Sequence, residues 1–277
     1  MGLALEALVL ALFLSAAMGV AQRVAERTGR SGWIDAIWTF AAGLAGVAAA
    51  LLPAAAAGAT PRPLLVAGLV ALWSLRLGVH IARRTLRGGD DPRYQQLRVE
   101  WGDDSSRRLF WFLQTQAAAA LVLVLSVAAA ARRPGTGLDA FDALGVAFFA
   151  AAILGEGVAD RQLTHFRADA GNRGKVCDEG LWRYSRHPNY FFEWLVWVAF
   201  AIIAIDPGGA YPWGWLGLAA PLLMYVLLVH VSGIPPLEAH MLRSRGDAFR
   251  LYQARVNGFW PGPPKATPEN FRSGDAS

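Results

Sequence analysis

Seven apolar blocks, each about as long as a bilayer's hydrocarbon core is thick, run through this chain of 277 residues. They are Leu3–Ala21, Trp33–Leu52, Leu64–Ala82, Phe110–Ala131, Phe141–Ala159, Tyr190–Ile205 and Trp213–Val231. In hydrocarbon a segment must satisfy its own backbone N–H and C=O groups, so blocks of this kind predict α-helices. The expected fold class is all-α: a polytopic membrane protein built as one seven-transmembrane-helix bundle over residues 1–260. A tail at 261–277, rich in Pro, Gly and Ser, is read as flexible. The first block ends in Ala-x-Ala-like residues, as a signal peptide does. Nothing basic precedes it, however, and Arg23, Arg27 and Arg30 follow it, the charge order of a retained helix.

Basic residues set the orientation. With the N-terminus outside and the C-terminus cytoplasmic, 22 of the 26 Lys and Arg residues fall in inside segments and 3 in outside ones. That asymmetry follows the positive-inside rule. It accounts for a net charge of +5 without nucleic acid as a partner, and it points to an integral membrane protein. Arg132 and Arg133 read as orientation charges or lipid headgroup contacts. Cys177 is the one cysteine, so no intramolecular disulfide forms.

Polar residues within the blocks gather toward the same leaflet. Asp35 opens the second block, with Trp38 one turn deeper. Arg76, His80 and Arg83 step along the inner half of the third. Glu156, Asp160 and Arg167 step by four and seven out of the fifth. Asn189 and Glu193 open the sixth, one turn apart on one face, and His230 closes the seventh. The opposite halves carry almost no charge. Carboxylates inside a membrane cost about 2.5–3.5 kcal/mol each on insertion scales, so they are functional candidates or ion-pair partners. A polar pocket open to the cytoplasm and capped by the inner loops is the expected site. Of the basic residues 24 are arginine, whose planar fork suits phosphate. Arg167, Arg183 and Arg186 are the phosphate candidates; Asp160, Asn189 and Glu193 suit amide and ribose hydroxyl groups. No Gly-x-Gly-x-x-Gly, Walker loop, Gly-x-Ser-x-Gly or clustered Cys/His metal pattern occurs.

The stretch Gly180-Leu-Trp-Arg-Tyr-Ser-Arg-His-Pro-Asn-Tyr-Phe-x-Glu193, with Trp197 after it, resembles the C-terminal part of the steroid 5-alpha reductase superfamily, in its bacterial branch of uncharacterised membrane proteins. Asp35-x-x-Trp38, Asp91-Pro-Arg-Tyr, Asp160-x-Gln and Val231-Ser-Gly-Ile-Pro-x-Leu-Glu238 agree with it. The resemblance covers about residues 30 to 260. It implies a seven-helix, NADPH-dependent reductase of enone lipids. It also implies a cofactor site holding Arg76, Asp160, Arg167, Asn189 and Glu193, to which Arg183, Arg186 and His187 of the same stretch are added. Glu156 stands where the steroid enzymes carry asparagine, and Trp73 lies near the place of their helix-3 tyrosine. The expected proton donor to the substrate is therefore Asp35, if burial keeps it protonated, with Tyr190 as the alternative. The expected partners are a lipophilic substrate arriving from the bilayer and the membrane lipids themselves, with no protein partner evident.

Arg186-His-Pro-Asn-Tyr190 also resembles the motif of isoprenylcysteine carboxyl methyltransferases, which use S-adenosylmethionine. A third reading is a lipid-binding protein without catalysis. Phosphate-rich NADPH accounts for the arginine excess better than the zwitterionic methyl donor does.

Overall fold

A computed structural model describes residues 2–57, 61–88 and 90–266. The last part of the tail expected to be flexible, residues 267–277, lies outside the described residues. Among these, every regular element is helical: α1 (Leu3–Thr28), α2 (Gly32–Ala57), α3 (Pro61–Arg87), α4 (Pro92–Trp101), α5 (Ser105–Ala131), α6 (Ala140–Ala168), α7 (Pro188–Ala204), α8 (Ala219–Val226), α9 (Ile234–Arg245) and α10 (Asp247–Arg255). Six helical stretches are long and apolar enough to cross a membrane, and α7 is an apolar helix of 17 residues. Exposed leucines on these stretches, among them Leu8, Leu12, Leu44, Leu72, Leu154 and Leu222, would be a liability in water. They suit a lipid-facing surface, as in an integral membrane protein.

The chain forms two compact units. The first holds the residues up to Val146 and those from Trp197 to Pro221. There α2 packs on α1, α3 and α5, and α1 on α5. Small residues line these contacts: Ala41, Ala42, Ala45 and Ala49 of α2 are buried, and the Ser74 hydroxyl of α3 donates to the Thr39 carbonyl across the seam at 3.1 Å. Such close backbone approach is how helices associate in lipid, where burial of apolar surface drives little. Trp73 and Trp197, both fully buried, meet edge to face with centroids 4.9 Å apart.

The expectation that the halves away from Asp35 are nearly free of charge is corrected in this unit. Arg62 at the start of α3 is 2% exposed and forks onto Asp142 of α6 at 2.8 and 2.9 Å. Its remaining donors reach the carbonyls of Arg133, Pro134 and Gly137. Arg133 pairs with Asp139 and Asp142, and Arg132 with Glu6. Arg133 is buried, not a headgroup contact. Polar loops and helix ends can carry buried charge where ion pairing offsets desolvation.

The second unit holds Ala147–Val196 and the chain from Leu222 on. The seventh apolar block is not one regular helix. It begins as 3₁₀ turns over Pro212–Leu218, continues as α8, and ends in a π-helical segment at Leu227–Val231. Gly214 and Gly217 lie against Ala204 and Ala201 of α7, and that close approach goes with the tightened turns. Beyond it, α9 and α10 are polar helices that no apolar block of the sequence marks. Phe249, Tyr252 and Val256 of this region form their own small core with Val176, Met241 and Leu242.

Candidate functional site

In the first unit Asp35 sits in the first turn of α2 and is the centre of a network. Its carboxylate pairs with Arg93 at 2.5 Å and accepts from the Tyr94 hydroxyl at 2.9 Å. Gln116 of α5 donates to that hydroxyl at 3.3 Å, and the Trp38 indole donates to the Gln116 carbonyl at 3.0 Å. Asp91, the cap of α4, holds Arg93 from the other side at 3.0 Å, while Asp90 accepts from the Ser31 backbone at 2.7 Å. The short helix α4 is thus strapped to α2. The expected role of Asp35 as a proton donor needs a protonated carboxyl. The geometry gives it an arginine and a tyrosine donor, so here it accepts. Arg76 lies half-buried on α3, three residues beyond Trp73.

The second unit holds the other expected site residues. At its seam, Gly155 of α6 lies against the Phe192 ring of α7, where a Cβ would come within 2.3 Å of it. Only glycine lets these helices approach so closely. Glu156 and Glu193, each next to a member of that contact, are both buried, at 3% and 7% exposure. Asp160 and Asn189, one turn away along α6 and α7, are half-buried, as is Tyr190. Arg167 lies exposed at the end of α6. The seam thus brings Glu156, Asp160, Asn189 and Glu193 onto adjoining turns.

The connecting stretch Gly180–His187 is built mostly as a joint. Gly180 adopts a left-handed φ of +56°, with the Gln162 side chain packed where a Cβ would stand. Gln162 accepts from the Leu181 N–H at 2.9 Å. The Trp182 indole donates to the Ala159 carbonyl at 3.0 Å, and the Trp182 carbonyl accepts from Tyr252 at 2.5 Å. Ser185 donates to the carbonyls of Gly258 and Phe259. Arg186 forks onto Glu238 of α9 at 2.7 and 3.2 Å and reaches the carbonyls of Gln253 and Val256. His187 Nε2 contacts the same Glu238 at 2.9 Å, and Gln253 donates to it at 2.6 Å. Burial pushes the His187 imidazole below its ordinary pKa, against the opposing pull of Glu238. The ring is therefore neutral at pH 7, with Nε2–H donating to the carboxylate. It stacks on Tyr190, with centroids 5.5 Å apart.

Two of the expected cofactor residues, Arg186 and His187, thus spend their polar groups on the chain itself, whereas Arg183 is exposed. The start of the expected flexible tail is bonded too: the Gly262 N–H donates to the Tyr184 carbonyl at 3.0 Å, and that of Lys265 to the Arg255 carbonyl at 2.8 Å. Sequence reasoning missed Arg93, Tyr94 and Glu238 as site-forming residues. All three lie in the Asp91-Pro-Arg-Tyr and Ile-Pro-x-Leu-Glu stretches noted above, so a signal was present without a role attached.

The family model described as "Protein of unknown function (DUF1295)" matches residues 22–256. An uncharacterized protein of Schizosaccharomyces pombe is 33% identical over 86 residues. That match covers 30% of this chain and 22% of the yeast protein, so the chain spans far less than the relative's full length. No solved structure matches.

Proposed function

The chain belongs to the DUF1295 family, and on that premise we propose that it is a membrane reductase using NADPH to saturate the carbon–carbon double bond of a lipophilic enone. In this reading α7, with 17 residues, is the seventh span, at the short end of what crosses a bilayer. The protein lies in the bacterial inner membrane with its N-terminus outside, and the segment Arg161–His187, from the last turns of α6 to the start of α7, forms part of a cytoplasmic cap over a cofactor site.

The observation that carries the reading is the α6–α7 seam, where Glu156, Asp160, Asn189 and Glu193 share adjoining turns in an apolar setting. Such expensive groups suit ribose hydroxyls and a carboxamide, and the resemblance to the steroid 5-alpha reductase superfamily gives Asp160, Asn189 and Glu193 to the nicotinamide cofactor, while Glu156 stands where those enzymes carry asparagine. Arg167 and Arg183 supply cations for phosphates. When bound, NADPH would supply the hydride, becoming NADP⁺ as the alkene is reduced. The chain must supply the matching proton and a hydrogen bond to the substrate's carbonyl oxygen. Tyr190, on the same helix as Asn189 and Glu193, suits that role.

The engagement of Arg186 and His187 by Glu238 favours one second reading, an S-adenosylmethionine-dependent methyltransferase of the isoprenylcysteine carboxyl type, because a zwitterionic donor needs fewer free arginines. Enone-dependent oxidation of NADPH by purified protein in detergent tests the first reading. Consumption should require both the enone and the folded protein. Absence of consumption with every lipid enone offered, alongside methyl transfer from S-adenosylmethionine, would establish the second.

A further inference from the structure

Arg183 and Arg255 line one cleft of about 280 Å³ together with Asp178, Val256 and Pro264, all in the second unit. The backbone at both arginines is fixed on either side. Around Arg183, Trp182 is bonded to α6 and to Tyr252, and the Tyr184 carbonyl accepts from Gly262. Around Arg255, the Gln253 and Val256 carbonyls accept from Arg186, and its own carbonyl accepts from Lys265. The neighbouring Arg186 is neutralised by Glu238, but no ion pair holds Arg183 or Arg255 among the described residues. Two guanidinium groups set in a rigid frame and turned to one cleft make a preorganised anion site.

We propose that this cleft binds a phosphate ester, with Arg183 and Arg255 on the phosphate oxygens and Asp178 accepting from a hydroxyl group of the same ligand. Asp178 makes the choice specific. Opposite two arginines it leaves a single net positive charge, which suits a phosphate bearing an alcohol better than a bare polyanion. The same chemistry occurs in a nucleotide, with its ribose, and in a glycerol-bearing phospholipid headgroup. The cleft's size lies near the lower end of small-molecule sites. The nucleotide outcome rests on the reductase reading, which gives Arg183 to a cofactor phosphate, whereas the headgroup outcome does not.

The full-length protein, purified in a neutral detergent, is titrated with adenosine 2′,5′-bisphosphate. In a second arm it is reconstituted into phosphatidylcholine nanodiscs with or without phosphatidylglycerol. The melting temperature should rise in at least one arm. A rise with the soluble bisphosphate assigns a nucleotide, and a rise only with phosphatidylglycerol assigns a lipid headgroup. Arg183→Gln and Arg255→Gln should each weaken the response by about tenfold or more, because a charge-assisted pair is lost. Arg173→Gln, an exposed charge outside the cleft, should leave it unchanged. The melting temperature of each variant without ligand reports on its folding. No rise in either arm, or a rise that survives both cleft substitutions, overturns the proposal. Neither NADPH nor an enone is present, so this outcome is separate from that of the reductase assay.

Discussion

Glu238 accepts from Arg186, His187 and Gln253 at once, and this one carboxylate joins the Ser185–His187 turn to α9 and α10. Glu238→Ala should destabilise the second unit by about 2–3 kcal/mol, since charged donors lose their partner; an unchanged melting temperature would show that the joint does not bear on stability. His187 adds a pH dependence. Its folded pKa lies below the ordinary 6.5, so the unfolded chain takes up a proton first as pH falls. Stability should be full above about pH 6.5 and decline below it, with Glu238 and Arg186 as the charged neighbours. His187→Gln should flatten that decline, and melting curves with the same slope in both proteins would contradict it. Cys177, 6% exposed, has its thiol pushed up by burial. Maleimide labelling at neutral pH should therefore be slow until the protein is unfolded, and rapid native labelling would contradict the packing described. The sequence alone made Arg186 a phosphate candidate because residue type and motif were visible, while Glu238, 52 residues away, was not an evident partner.

Among elements, the long helices were legible because an apolar run of membrane length admits few other structures. The strap α4 and the helices α9 and α10 were not, because their charged residues leave no apolar run of membrane length. The irregular seventh block was hidden for the opposite reason: its composition is uniform, and what alters its turns is contact with α7 at Gly214 and Gly217. The buried pair at the start of α3 escaped notice because Arg62 and Asp142 lie 80 residues apart in sequence. Asp142→Ala should cost about 3–5 kcal/mol, the expected effect of taking the buried partner from both Arg62 and Arg133 and leaving them only the exposed Asp139, and Arg62→Met with Asp142→Leu should recover much of it. Denaturant titration in detergent measures both, and a single-substitution cost below about 1 kcal/mol would contradict a buried pair. At the other strap, Asp35→Asn keeps shape but removes the ion pair to Arg93. It should loosen α4, seen as faster hydrogen exchange over residues 92–101, and unchanged exchange there would contradict the strap.

For the molecule as a whole, charge distribution and hydropathy anticipate an integral membrane protein with few alternatives, whereas the site was legible only as a set of residue types. The α6–α7 seam gathers part of that set while Glu238 of α9 engages Arg186 and His187, a division that no spacing rule anticipates. Reporter fusions should place the C-terminus in the cytoplasm; a C-terminus on the far side would remove the cytoplasmic cofactor site. The central claim is that the seam holds NADPH. It is tested most directly by the melting temperature of the detergent-purified protein with NADPH, with S-adenosylmethionine and with neither. A concentration-dependent rise with NADPH is expected, reduced about tenfold or more in apparent affinity by Asp160→Ala or Asn189→Ala, and no rise with S-adenosylmethionine. A rise with S-adenosylmethionine alone, or an NADPH response untouched by both substitutions, would contradict the account.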